Sequence, residues 1–324
     1  MSLPTFTSTT TAEEVASVFA EEIKGRNVLI TGTTIGGMGF ETARVLAKYA
    51  NLLFLAGYNS ERLRLSEEAI KQETLSANVR TVTLDLSSIA SVRAAAQEIN
   101  AYPEPLHVLI NNAATGAGTF VLSPDGLEMG MATNHVGPFL LTNLLVPKLL
   151  ASSAADCAKP RVVFTASEAH ALHPLDVTAL AHPEPENHIP MLAYAHSKAA
   201  NVLTALELSK RAKGRINAYS LHPGSVFTNA LKKKENQPAL IAAGVLTSDG
   251  LPNTEKHQGW KTLPQGAATI VAAAFDTRLE ASPGAYLCDA AEANDKVAPH
   301  ASDPATAAAL WAATEEIVGE KFVL

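Results

Sequence analysis

Tyr194 and Lys198 stand four residues apart, a spacing that on a helix brings both side chains to one face. An ammonium beside a phenol favours the phenolate and lowers the phenol pKa from its reference of about 10. The pair therefore predicts a tyrosine that exchanges a proton with a carbonyl or alcohol oxygen near neutral pH. Ser167 is expected to hydrogen-bond that same oxygen as charge develops on it. Taken alone, Tyr194 reads as a buried tyrosine with a satisfied hydroxyl; Lys198, Ser167 and Asn134 in order overturn that reading. A second candidate lies upstream, in Thr31-Gly32-Thr33-Thr34-Ile35-Gly36-Gly37-Met38-Gly39-Phe40. A glycine-rich turn between a strand and a helix lets the backbone approach a pyrophosphate, whose charge sits at the helix N-terminus. A plain tight turn is the bland alternative.

These residues need a scaffold, and the hydropathy pattern supplies one. Strand-like apolar runs occur at Asn27–Ile30, Leu52–Leu55, Val79–Leu84, Leu106–Ile110, Arg161–Thr165, Ile216–Leu221 and Ala285–Leu287. Helical patterns alternate with them at Phe40–Ala50, Glu61–Glu73, Ile89–Ile99, Met131–Leu150 and Ala193–Ala212. Strands apolar on both faces and separated by helices mean a parallel sheet covered on both sides. The fold class expected is α/β, a doubly wound parallel sheet (Rossmann fold) of about seven strands. Residues 1–24 form an N-terminal extension, loose over residues 1–10, with a short amphipathic helix opened by the capping-box spacing of Thr11 and Glu14. Residues 25–324 form a single catalytic domain. Two Pro- and Gly-rich excursions, near 168–190 and 229–264, leave the carboxyl ends of strands and are expected to wall a pocket.

The 324 residues carry 32 acidic and 25 basic side chains, a net charge of −7, which disfavours a surface built to hold nucleic acid. A hydrophobic fraction of 47% suits a globular protein and excludes wholesale disorder. Cys157 and Cys288 make no disulfide framework, so a reducing compartment is expected. The N-terminus lacks the charged and apolar regions of a signal peptide, and no continuous apolar run of membrane-spanning length occurs. These features predict a cytoplasmic protein with no integral membrane segment. His170, His173, His182 and His188 share one excursion but lack the cysteines or carboxylates of a metal site. They read as solvated or pocket-lining histidines, with no metal expected.

The glycine turn, Asp85-Leu86, Asn111-Asn112-Ala113, Asn134, Ser167, Tyr194-x-x-x-Lys198 and His222-Pro223-Gly224 follow one another in register from about residue 25 to 230. This constellation resembles the classical branch of the short-chain dehydrogenase/reductase family. The flanks Phe40-Glu41-Thr42-Ala43, Asn134-His135-Val136-Gly137-Pro138-Phe139 and Ser197-Lys198-Ala199-Ala200-Asn201 are most similar to its retinol-dehydrogenase-like and WW-domain-oxidoreductase-like members. The resemblance implies that Lys198 holds the nicotinamide ribose and that Asn134 anchors a water linking the lysine to solvent. It implies cofactor contacts from Gly32, Thr34, Gly37, Met38, Gly39, Asp85, Leu86, Asn112, Ala113, Tyr194, Lys198, Pro223, Gly224, Val226 and Thr228. Asp85 reads equally as a helix cap for the run beginning at Ser87.

The sequence departs from the family pattern in the glycine turn, which holds one extra residue between Gly32 and Gly37-Met38-Gly39, or beyond Gly36 in the other alignment. At the end of the second strand, Ala56-Gly57-Tyr58-Asn59 has no acid to bind a ribose 2′-hydroxyl, which favours NADP(H) over NAD(H). The arginine common at the Tyr58 position is absent; Arg62 or Arg64 reaches a 2′-phosphate instead, or is a solvated helix charge. The function expected is hydride transfer between nicotinamide and a carbonyl or secondary alcohol of a hydrophobic small molecule. Two alternatives are a catalytically silent cofactor-binding scaffold or sensor, and an epimerase or dehydratase of the same fold with no net cofactor turnover. The chain is expected as a homodimer or a monomer.

Overall fold

Leu29, Phe54 and Phe164 point to one side of a sheet, and Val28, Ile30 and Val163 to the other, yet all are buried. Alternate side chains of a strand face opposite ways, so burial of both sets requires cover on both faces. The computed structural model describes residues 3–156, 159–256 and 259–324, so Cys157 lies outside the described residues. The strands are β1 (Asn27–Thr31), β2 (Leu52–Gly57), β3 (Val79–Thr83), β4 (Val108–Asn111), β5 (Arg161–Thr165), β6 (Asn217–His222), β7 (Tyr286–Cys288) and β8 (Ala291–Glu292). They form one sheet in the order β3-β2-β1-β4-β5-β6-β7-β8. All neighbours are parallel except β8, which pairs antiparallel with β7 and was not expected from its two exposed residues.

The longer helices are α1 (Ala12–Val18), α2 (Met38–Leu46), α3 (Ser60–Glu73), α4 (Ile89–Ala101), α5 (Gly137–Asp156), α6 (Pro190–Ala212), α7 (Leu263–Phe275) and α8 (Pro304–Val318). One face of the sheet is covered by α4, α5 and α6, with α8 packed outside through Leu310 and Trp311. The other is covered by α1, α2 and α7. The hydropathy pattern revealed neither α7 nor α8. Every residue of α7 from Gly266 to Phe275 is buried, and α8 is alanine-rich, so neither displays a polar face at helical period.

The strand order reverses between β1 and β4, and ligands of open α/β sheets bind in the crevice at the strands' carboxyl ends there. The capping box at α1 forms as expected: Thr11 Oγ1 accepts from Glu14 N, and the Glu14 carboxylate accepts from Thr11 N. The preceding segment is not loose. Phe6 is buried against Phe19, and the Arg278 guanidinium stacks over its ring while donating to the Pro4 carbonyl at 2.9 Å. Apolar anchoring of one ring overrides the polar Ser/Thr composition around it.

Residues Met129–Ser153 form a helical run long and apolar enough to cross a membrane, but 67% of its most apolar stretch is buried inside the protein. It is the central core helix of one sheet face.

Candidate active site

β1 ends at Thr31, and the chain turns through Gly32 at φ +74° and Gly36 at φ +81° before Gly37 opens α2. No side chain caps that helix start, so its first amides keep the donor capacity that an anion would use. Packing demands glycine twice here. A Cβ on Gly32 would lie 2.8 Å from the Ala113 Cα, and one on Gly39 would lie 2.5 Å from both the Gly32 carbonyl oxygen and Asn112 Nδ2. The close approach at Gly39 supports the alignment that pairs Gly37 with Gly39. The residue beyond that pattern bulges outward, leaving Ile35 exposed.

Asn112 holds the turn from β4: its Nδ2 donates to the Thr31 carbonyl at 2.9 Å and to that of Gly32 at 3.3 Å. Thr31 Oγ1 accepts from the amides of Asn112 and Ala113. The Thr33 hydroxyl and the Asn112 side-chain oxygen Oδ1 are buried here without a hydrogen-bond partner among the described residues. Orphaned polar groups beside a bare helix start fit a polar, phosphate-bearing ligand. Thr34 accepts the Gly37 amide through its own carbonyl.

At the end of β2, Tyr58 is exposed and its hydroxyl accepts from Arg62 at 3.3 Å. Arg64 is engaged with Glu61 and Glu68. No ion pair of Arg62 is found among the described residues, so of the two arginines it is the one left to meet an added anion. Asp85 is not a helix cap. Its carboxylate accepts from Ser87 N and Oγ at 2.9 and 2.7 Å, while Ser88 caps α4. Leu86 packs into the core, and its carbonyl would lie 2.2 Å from any Cβ on Gly137.

Ser167 follows β5 and opens a short 3₁₀ turn, Glu168–Ala171. Its hydroxyl accepts from Ala169 N at 3.2 Å and lies near enough the Tyr194 phenol to favour its ionised form. Tyr194 and Lys198 lie in the first half of α6, which Pro190 starts. Lys198 is buried, its Nζ 5.5 Å from the Tyr194 ring centroid and donating to the Thr165 carbonyl at 2.9 Å. Burial without a carboxylate partner drops its pKa to about 7.

The expected depression of the Tyr194 pKa does not occur in this cleft. Burial pushes the phenol up, and the Ser167 hydrogen bond pulls back only part of the way. The Glu168 carboxylate adds to the rise, while Lys198 is itself desolvated and directed at a backbone carbonyl. Asn134 sits in a π-helical turn, Ala132–Val136, directly before α5. Its side chain accepts from Thr115 N at 2.8 Å and donates to Ser197 Oγ at 2.9 Å. Ser197 Oγ in turn donates to the Tyr194 carbonyl at 2.8 Å, so Asn134 braces the helix that carries Tyr194.

Beyond β6, Pro223 leads into Gly224, whose φ of +88° and contact with the Lys261 side chain both exclude a larger residue. Val226 pairs with Lys261, and Thr228 starts a short helix, Asn229–Lys232. Asn229 Nδ2 donates to the Ile35 carbonyl at 2.8 Å, which ties this loop to the extra residue of the glycine turn. His170, expected to be solvated or to line the pocket, is instead buried. His173 and His182 are exposed and His188 partly so.

Residues 26–239 match the family model described as short chain dehydrogenase. The chain is 34% identical over 286 residues to the chloroplastic short-chain dehydrogenase TIC 32 B of Brassica napus, covering 87% of this chain and 85% of that protein. It is 32% identical over 324 residues to the human WW domain-containing oxidoreductase, covering 98% and 73%. It is 34% identical over 299 residues to retinol dehydrogenase 12 of Bos taurus, covering 92% and 88%. This chain belongs to the short-chain dehydrogenase/reductase family. The fold agrees: a crystal structure of an uncharacterized protein from Mycobacterium paratuberculosis superposes with a TM-score of 0.69 at 27% identity, covering 94% of this chain and 98% of that one.

Short-chain dehydrogenases use nicotinamide cofactors, and the bare α2 start, the glycine approaches and the orphaned Thr33 hydroxyl accommodate such a group. The sequence reading missed the residues that brace this short-chain dehydrogenase site. Ser197, Thr115, Thr165 and Asn229 act through hydrogen bonds that span distant chain segments. No local spacing announces such contacts.

Proposed function

We propose that this short-chain dehydrogenase is an NADP(H)-preferring oxidoreductase. It transfers hydride between the cofactor and the carbon of a carbonyl or secondary alcohol in a hydrophobic small molecule. One observation carries the reading: the Ser167 hydroxyl lies near enough the Tyr194 phenol to favour its ionised form, in a cleft where buried Lys198, one helical turn on, sets its Nζ 5.5 Å from the tyrosine ring and makes no ion pair among the described residues. A structural tyrosine has no need of a buried amine beside it.

In this reading Tyr194 delivers a proton to the substrate oxygen during reduction and takes it back during oxidation. Ser167 donates to the same oxygen as negative charge grows on it. It accepts one hydrogen bond, from Ala169 N, which leaves its proton free to donate. Lys198 holds the cofactor ribose and, when charged, stabilises the phenolate that burial disfavours. Asn134 keeps α6 in place through Ser197 and completes the path by which the proton reaches solvent. The bound nicotinamide supplies or accepts the hydride. Gly32, Thr34, Gly37, Met38, Gly39, Asn112, Ala113 and the loop from Pro223 to Thr228 cradle the cofactor, with Asp85 and Leu86 towards its adenine.

A hydrophobic substrate is supported by the rim of the crevice. Leu122, Leu172, Ile189 and Leu251 are exposed, all on loops that leave the carboxyl ends of β4, β5 and β6. A free Cys288 thiol suits a reducing, cytoplasmic setting.

Titration with NADPH and then NADH, followed by nicotinamide fluorescence, tests cofactor use without a known substrate. Tighter NADPH binding is the expected result; binding of neither would mean that the extra residue of the glycine turn has broken the cradle, and would overturn the oxidoreductase reading. Tyr194→Phe is expected to keep NADPH affinity while slowing turnover of apolar aldehydes and ketones by roughly 10²–10⁴-fold. Full activity of that variant would overturn the assignment of Tyr194.

A further inference from the structure

His170 is one of four histidines on the 168–190 excursion, and it alone is buried. Its Nδ1 lies 2.6 Å from the Ser167 carbonyl oxygen. On the opposite edge of the ring, the Ala298 amide donates to Nε2 at 3.3 Å. A backbone amide can only donate, so Nε2 is the unprotonated nitrogen and Nδ1 carries the hydrogen, which it gives to Ser167. The tautomer is thereby set by the chain itself. The ring packs on Tyr286 with centroids 5.0 Å apart, and His300 Nε2 meets the His170 carbonyl at 3.0 Å. Burial holds the imidazole below the ordinary histidine range; His300 adds to this, while Glu168 and the Ser167 bond oppose it.

We propose that His170 is a positioning residue for Ser167: its Nδ1–H holds the serine's carbonyl while His300 ties the His170 backbone to the 298–300 segment, and this aims the serine hydroxyl at Tyr194. The proposal rests on the reading of Ser167 and Tyr194 as the reacting pair. The mechanical logic is short. Ser167 is the hinge between β5 and a single 3₁₀ turn, and the one bond that turn gives its hydroxyl is the long one from Ala169 N at 3.2 Å. The His170 side chain adds a second, rigid attachment on the serine's own peptide, anchored in turn to a segment distant in sequence. His170 touches no reacting atom and so acts only through Ser167.

Two substitutions separate this role from simple packing. The amide of His170→Asn falls where Nδ1 lies and keeps the donor to Ser167, but it cannot reach Ala298. The amide of His170→Gln falls where Nε2 lies and does the reverse. The readout is the NMR resonance of ring-labelled Tyr194, assigned by its loss in Tyr194→Phe, because it senses the hydrogen bond at the phenol without any substrate.

Ser167→Ala is expected to shift that resonance. His170→Gln is expected to shift it in the same direction by at least half as much, and His170→Asn to leave it near the wild-type position. A shift in Asn but not in Gln, or in neither, would overturn the positioning role while leaving the reading of the site intact. If Ser167→Ala itself moves nothing, the reading of the Ser167–Tyr194 pair fails first. Should either His170 variant fail to fold, ¹⁵N shifts of the wild-type imidazole decide the matter. Protonation at Nδ1 alone supports the clamp, and protonation at Nε2 overturns it.

Discussion

Lys198 is an amine sealed inside the protein with one backbone carbonyl for company. Its folded pKa of about 7 lies below the ordinary 10.5, so the unfolded chain binds the extra proton between those values. Stability of the cofactor-free protein therefore rises as pH climbs from about 7 towards 10.5, and the penalty is fully present below that window. Lys198→Met is expected to raise the melting temperature by a few degrees at about pH 6, with the gain fading near pH 10. Thermal melts of both proteins across pH check this; a constant difference would mean the lysine is not desolvated.

Arg62 makes the complementary case on the surface. If it meets a 2′-phosphate, Arg62→Ala removes charge-assisted hydrogen bonds worth about 1.5–3 kcal/mol. NADPH affinity is then expected to fall roughly 10- to 100-fold, with NADH affinity unchanged in the same fluorescence titration. Arg64 offers no such test, because Glu61 and Glu68 already hold it. The sequence could name both arginines as candidates, but only their neighbours distinguish them.

At the scale of elements, the start of α2 is governed by how closely β1 and β4 approach it. Gly39→Ala places a methyl 2.5 Å from the Gly32 carbonyl oxygen and from Asn112 Nδ2. The helix start must then move away from the turn, and NADPH binding is expected to be lost from a protein that still shows the wild-type circular dichroism. Retained binding would show that the cradle yields to the methyl. The bulge at Ile35 is a different matter, because it is exposed and Asn229 fastens it from outside the turn. One extra residue is thus absorbed at the surface, leaving the close contact at Gly39 in place. The π-helical turn at Ala132–Val136 carries Asn134 in the same spirit, since such turns reorient one side chain within an otherwise regular helix. That turn was invisible in a run that reads as continuous helix.

For the whole molecule, the chain termini are structural members. Trp311 in α8 is buried edge-on against Phe139 at 4.7 Å, donates to Glu315 at 2.9 Å, and lies beneath the Arg211 guanidinium. It joins α8 to both α5 and α6, the latter carrying Tyr194 and Lys198. Trp311→Ala is expected to destabilise the protein by about 3–5 kcal/mol, measured as a lower urea midpoint. An unchanged midpoint would mean that α8 contributes nothing to the core.

The sequence by itself determined the alternation of strands and helices, the parallel doubly wound sheet, the capped α1 and the order of Ser167, Tyr194 and Lys198. Each depends on local periodicity or on spacing within one element, which a linear text records directly. Tertiary structure alone decided what surrounds those residues: that His170 is buried beside Ser167, that Asp85 turns on Ser87 while Ser88 caps α4, and that Phe6 is anchored. It also decided that burial raises the Tyr194 pKa where i, i+4 spacing predicted a fall. Burial and electrostatics depend on every segment packed around a group, and those segments come from far along the chain. Spacing can place a lysine beside a tyrosine, but only the folded surroundings determine how much charge that lysine keeps.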